Sequence, residues 1–234
     1  MQIMKILLLF LFFCTGSLLI MPKGFTDLKF QGYRGKIKTI SNITYEGNKL
    51  NFKISDSTQW IKKDIFEYNS VGFLLMHREI QNNPGGEYEL ITKYVHSDSG
   101  AVSTTYHGSD LINMTVTNWL TDSSFEIIQK DQKGRLQVYT IQVIDKNFKL
   151  RSGEMKYYAK PDSVAYHERY EVLFDEKSKS EKTIASVFPR INNKLVMRDF
   201  KKLDKHGNPT EIDLMQNGLR LGFRRTFSDY IYYP

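Results

Sequence analysis

Cysteine is nearly absent from this chain. Cys14 is the single one among 234 residues, and it lies inside an apolar leader. If that leader is cut, no disulfide can staple the fold and thiol chemistry is excluded. Helical periodicity is equally scarce, with no amphipathic stripe beyond the leader. The chain also lacks a Gly-rich phosphate loop and a Gly-x-Ser-x-Gly elbow, so it offers no sign of nucleotide binding or of a serine hydrolase. The five histidines (His77, His96, His107, His167 and His206) are scattered. His167-Glu168-Arg169-Tyr170-Glu171 starts like a zinc-protease motif but has no second His, and it lies in a strand pattern. Asp204, Asn208 and Glu211 fail the EF-hand spacing, and a hairpin turn accounts for Asp204 and Gly207 without calcium. These absences lead to the expectation of a non-enzyme with no catalytic residue, no metal and no cofactor.

What the chain does have is a recurring turn. Asn69-Ser70-Val71-Gly72, Asp131-Gln132-Lys133-Gly134, Asp145-Lys146-Asn147-Phe148, Asp175-Glu176-Lys177-Ser178 and Asp204-Lys205-His206-Gly207 each follow a β-type run, and Ser97-Asp98-Ser99-Gly100 is a looser copy. A short Asp or Asn side chain can bond the backbone two residues on, and Gly accepts positive φ. Asn82–Gly86, Lys160–Ser163, Ile191–Asn193 and Asn217-Gly218 fill the gaps. A turn therefore comes roughly every 14 residues, which leaves about 8–11 for each strand. Connections this short join antiparallel neighbours.

The runs between turns alternate as strands do. In Leu111–Leu120, Ile112, Met114, Val116 and Leu120 share one face. In Ser163–Phe174, Val164, Tyr166, Tyr170, Val172 and Phe174 oppose His167, Arg169 and Glu171. Leu136–Ile144 is apolar on both faces. The expected fold is all-β, an up-and-down meander of about 14 strands in a curved single sheet or an open or closed barrel. At 234 residues one domain suffices.

The N-terminus is of another kind. Lys5, the apolar Ile6–Phe13, the small Thr15-Gly16-Ser17 and then Leu18–Met21 read as a secretory signal peptide or a retained signal anchor. The expected division is 1–21 as leader and 22–234 as one β domain. Cys14 follows the large Phe13, which does not suit lipid attachment. The net charge of +7 raises the question of an anionic partner. Its spread along the chain fits solvated strand faces, and no nucleic-acid module is present. Rings on strands, namely Trp60, Trp119, Tyr157, Tyr158, Tyr166 and Tyr170, could stack on a ligand or fill the core.

Asp131-Gln-Lys-Gly-Arg-Leu136 and Leu203-Asp-Lys-His-Gly-Asn208 resemble the tyrosine–aspartate repeats of bacterial RHS-type surface proteins. Gly35-Lys36-Ile37-Lys38-Thr39-Ile40 is similar to the first strand of small secreted bacterial proteins. The resemblance implies stacked hairpins at the cell envelope and no catalytic residues. Three functional expectations follow. The first is a non-catalytic exported envelope protein, in periplasm, outer membrane or cell surface, that binds or scaffolds through a broad β surface. Its partner is unknown, with an envelope protein, glycan or lipid in view and no nucleic acid. The second is a lipid or lipoprotein carrier with a curled half-barrel. The third is an outer-membrane β-barrel.

Overall fold

The computed structural model describes residues 20–47, 60–160, 163–175, 180–188, 192–217 and 222–234. A four-residue helix, α1 (Asp27–Phe30), precedes fourteen strands. These are β1 (Ile37–Gly47), β2 (Trp60–Tyr68), β3 (Leu74–Asn83), β4 (Gly86–Ser97), β5 (Gly100–His107), β6 (Asp110–Thr121) and β7 (Ser124–Asp131). They continue with β8 (Leu136–Ile144), β9 (Leu150–Lys160), β10 (Ser163–Asp175), β11 (Ser180–Phe188), β12 (Asn192–Leu203), β13 (Pro209–Asn217) and β14 (Gly222–Tyr232). Each strand pairs antiparallel with the next, and β1 pairs with β14, so the sheet closes into a barrel. Of the geometries the sequence allows, closure is the one that removes both free edges.

The recurring turn has one architecture. In the turn after β2, Asn69 Oδ1 accepts the N–H groups of Val71, Gly72 and Phe73, all at 3.0 Å. Asp131 Oδ1 accepts from Lys133 and Arg135, Asp145 Oδ1 from Asn147 and Lys149, and Asp204 Oδ1 from His206 and Asn208. The fourth position takes positive φ in every case, at Gly72, Gly134, Phe148 and Gly207. Phe148 does so without being glycine, at φ 64°. Its ring lies edge-on to Phe25 at 5.7 Å, a contact that offsets a left-handed strain of roughly 1–2 kcal/mol. The turns at 69, 145 and 204 lie at one end of the barrel and that at 131 at the other. The stretch 176–179 and the Asn217-Gly218 turn fall on or beside residues outside the described set, as do the leader residues 1–19.

These carboxylates should make the fold acid-sensitive. Burial alone would raise Asp145, but the N–H groups of Lys149 and Asn147 and the Arg151 guanidinium outweigh it and hold the carboxyl below 3.8. Asp204 is also lowered: burial is opposed by Tyr232 and by the N–H groups of Asn208 and His206. A folded pKa below the unfolded one contributes stability above 3.8, and that contribution disappears as pH falls through the folded value. Thermal unfolding from pH 7 to pH 2 should show a loss starting near pH 4, and Asp145→Asn with Asp204→Asn should flatten it. An unchanged slope in the double variant would remove these turns as its cause.

Candidate functional site: the lumen and its plug

Which face of each strand looks inward is decided by the segment before β1. Leu28 of α1 packs with Ile37, Ile40, Tyr68 and Leu74, on β1 to β3. Two and three residues away, Phe30 and Phe25 pack with Trp119, Phe125 and Ile144, on β6 to β8. A four-residue helix reaches both walls only by lying between them. The segment 21–34 therefore plugs one end of the barrel from inside. The helix starts because Thr26 Oγ1 accepts the Lys29 N–H at 3.2 Å, with Asp27 in the first turn.

Polar contacts tie the plug to the wall. Asp27 Oδ2 accepts the Leu74 N–H at 2.7 Å and lies 3.5 Å from His96 Nε2. Burial raises the Asp27 carboxyl above its ordinary range, against the pull of that N–H and of His96. Tyr68 Oη donates to Gln31 Oε1 at 2.7 Å. Asn208, fully buried, accepts the Arg34 N–H at 2.7 Å and donates to the Arg34 carbonyl and to Tyr232 Oη, each at 2.8 Å. The backbone beyond β14 closes the same end, where Tyr233 N–H donates to the Lys36 carbonyl.

Away from the plug the lumen wall is mixed, with Leu90, Val138, Met155, Val187, Val196 and Leu214 facing inward among polar residues. It also carries Asn42, Thr44, Gln81, Thr92, Thr105, Asn113, Thr115, Thr117, Gln129 and Thr140, with Thr44–Thr226 and Thr92–Thr105 hydroxyl pairs at 2.9 and 3.0 Å. Side chains fill a barrel of about eight strands, while one of about sixteen leaves a channel, so fourteen strands leave room. Two clusters stand out. On β2 and β3, Asp64, His77 and Glu79 bring three possible ligand atoms within 4.8 Å of one another. The Lys62 ammonium sits 3.1 Å from Asp64 and 2.8 Å from Glu79, and His77 Nε2 lies 2.8 Å from Asp64. The cationic position is already held by Lys62.

The second cluster is on β8 to β10. Tyr157 and Tyr166 are cross-strand partners with rings 5.3 Å apart at 65°. Tyr166 Oη donates to Glu168 Oε2 at 2.7 Å, and Gln142 Nε2 donates to Tyr170 Oη at 3.0 Å. Gly153 faces Tyr170 because no side chain fits there: a Cβ would lie 2.3 Å from Tyr170 Oη and 2.9 Å from the Ile141 carbonyl. Gly153→Ala should therefore push the Tyr170 ring out of line and cost on the order of 1–3 kcal/mol. Chemical denaturation and the Tyr170 NMR signals would check this; a cost within a few tenths of a kcal/mol would refute the tight fit.

Of the aromatic residues singled out in the sequence, Tyr157, Tyr166 and Tyr170 come together in the lumen and Trp119 lies under the plug. Gln142 and Gly153 carry no sequence signal of their own; only the register places them opposite the tyrosines.

The outer wall divides into two arcs. Across β4 to β8 runs an apolar row by register, Val95, Val102, Val116, Ile128 and Tyr139. The apolar residues on the second face of Leu136–Ile144 belong to this arc. Across β9 to β14 many outward residues are charged and ion-paired, standing among the apolar Leu173, Ile184, Met197 and Phe227. Glu154 meets Lys156, His167 and Arg169, while Asp213 and Glu211 meet Arg225, Lys201 and Lys202. Arg169 and Lys202 side chains are 66% and 72% exposed, in the middle and near the end of their strands.

The closed barrel has a precedent among solved structures. The chain is similar in fold to a porin-like protein. That protein, from Bacteroides vulgatus ATCC 8482, superposes with a TM-score of 0.50 over 86% of this chain and 100% of its own, at 13% identity. No protein family and no curated protein matches the sequence. The likeness to the porin-like protein overturns the resemblance to tyrosine–aspartate repeat proteins. The Asp-x-x-Gly signal is the chemistry of a hairpin turn, and any meander of short antiparallel hairpins selects it. Here the hairpins close on themselves as a ring rather than stacking as a linear array.

Proposed function

We propose that this is an exported, non-catalytic barrel of the cell envelope that works through its lumen and stands in water. The observation that supports a watery setting is the outer wall of β9 to β14. Strands of 8 to 13 residues give the barrel little height beyond an apolar band of about 25 Å, so a lipid-embedded barrel would hold the mid-strand outward charges within hydrocarbon. An Arg at mid-strand such as Arg169 costs roughly 2–4 kcal/mol at the bilayer midplane, whereas a Lys near a strand end such as Lys202 costs about 0–1 kcal/mol. Ion pairing reduces that sum without removing it. A closed sheet also has no free edge and no broad flat surface, which redirects the scaffold reading from the outside of the sheet to its inside. The ring is closed, and hydroxyls and amides line the inner face of β4 to β8, which does not favour a lipid-carrying half-barrel.

The outer-membrane barrel is the second reading. It draws on the porin-like fold of the neighbour and on the apolar arc over β4 to β8. Cell fractionation with intact mass on the recovered protein separates the two. A species cleaved near residue 21 and soluble without detergent supports the water-standing barrel. A cleaved species that needs detergent makes the outer-membrane barrel correct instead, and a mass retaining residues 1–21 makes it a tethered barrel.

A further inference from the structure

Among the described residues, one carboxyl group turned to the lumen forms no ion pair. Glu168 on β10 is 8% exposed and faces inward. Its register neighbours on the inner wall are Met155 and Val187, both apolar. The hydrogen bond from Tyr166 engages Oε2, and no hydrogen bond among the described residues engages Oε1. No Lys, Arg or His among the described residues forms an ion pair with it. Other carboxyl groups turned to the lumen are matched: Asp64 and Glu79 by Lys62, Glu181 by Arg198 and Glu46 by Arg224. Buried carboxylates are otherwise paired, because an unpaired one loses its hydration without return.

Around this carboxyl group stand three tyrosines. Tyr166 and Tyr170 flank it on β10, and Tyr157 closes the side toward β9 with its ring at 65° to that of Tyr166. Tyr157 is 38% exposed although it points into the barrel, so the face of its ring is available. Two rings inclined at 65° beside a carboxyl group without an ion pair form a partial cage. Ring faces carry negative potential and attract cations, most strongly where water is excluded. A neutral sugar would use the rings but would leave the negative charge uncompensated.

We propose that Tyr157, Tyr166, Tyr170 and Glu168 bind an organic ammonium group, the ion pair going to Glu168 Oε1 and the alkyl substituents to the ring faces. This rests on the reading of the lumen as the working surface, but not on whether the barrel stands in water or in lipid. The same chemistry could come from a free amine or from a lysine side chain of a peptide.

The test is titration of the purified full-length barrel by isothermal calorimetry and ligand-observed NMR. The probes are tetramethylammonium, putrescine and an acetylated lysine amide, with maltotriose as the neutral comparison. The expected result is saturable binding of at least one ammonium probe and none of maltotriose. Glu168→Gln keeps the shape and should weaken that probe by tenfold or more. Tyr157→Ala, at a half-exposed position that tolerates truncation, should weaken it by about fivefold, with Tyr157→Phe close to wild type. Free amine binding without the lysine amide assigns a small-molecule ligand, and the reverse assigns a peptide; both support the site. Absence of ammonium binding at 10 mM, on the order of the weakest useful affinity, overturns it. So does binding that is indifferent to Glu168→Gln, or maltotriose binding in place of ammonium. Fractionation behaviour tests the envelope reading separately, since a detergent-purified barrel can be titrated in the same way.

Discussion

Asn208→Ala should be the most damaging single polar substitution in the molecule. The side chain is fully buried and satisfies Arg34 N–H, the Arg34 carbonyl and Tyr232 Oη at once. Alanine strands the Arg34 N–H and carbonyl and takes one donor from Tyr232 Oη, which still donates to Asp204. At roughly 1–3 kcal/mol for each group left unsatisfied, with some rehydration, the expected cost is about 3–5 kcal/mol. For a domain of this size that lowers the melting temperature by about 6–20 °C. Asn208→Asp should not rescue it, because the two donated bonds are lost and a second carboxylate is placed beside Asp204. Differential scanning calorimetry on the three proteins decides the matter. A loss under about 1 kcal/mol would mean that water replaces the amide and that the latch is not a latch.

The second large effect is expected at Trp119. It is 4% exposed, with the Phe25 ring edge-on at 4.8 Å and Phe125 at 5.0 Å. Truncating such a residue costs about 3–5 kcal/mol, as lost transfer energy and as a cavity. Here the cost should have an address. Trp119→Ala removes the wall on which Phe25 rests, so the plug should loosen before the barrel opens. Limited trypsinolysis should then cut at Lys23, Lys29 or Arg34 at least tenfold faster than in wild type, while β1 to β14 stays protected. Uniform acceleration of cleavage along the chain would show instead that plug and barrel unfold as one unit.

Much of the barrel was legible in the sequence, and the reasons are local. An Asp side chain finds its own turn N–H groups within four residues, and strand alternation repeats every two, so turns and strands announce themselves in short windows. Even the missing glycine at 148 left a trace, since Asp145 kept the rest of the motif. Closure left none. It depends on pairs such as Thr44 and Thr226, 182 residues apart, and no pattern along a strand tells an edge from a seam. The helix α1 is one turn long, too short to show a period. The β10 residues illustrate the site. Glu168, Arg169 and Glu171 read alike as mid-strand charges, yet the first faces the lumen and the other two face out. Alternation tells which residues share a side, while the plug tells which side is inside. The tyrosines were visible as strand aromatics; their meeting across β9 and β10 depended on the register.

The seam between β1 and β14 also has a meaning in time. Strand β1 finds its partner only in β14, so the ring cannot exist until β14 has been made. Until then β1 keeps an unpaired row of N–H and C=O groups, and the plug residues Phe25, Leu28 and Phe30 have only part of their pocket. Non-local pairing of this kind is slow and leaves edges exposed to other chains. The chain therefore passes through the state of an open, adhesive sheet, and the vessel comes into being only when its last strand meets its first.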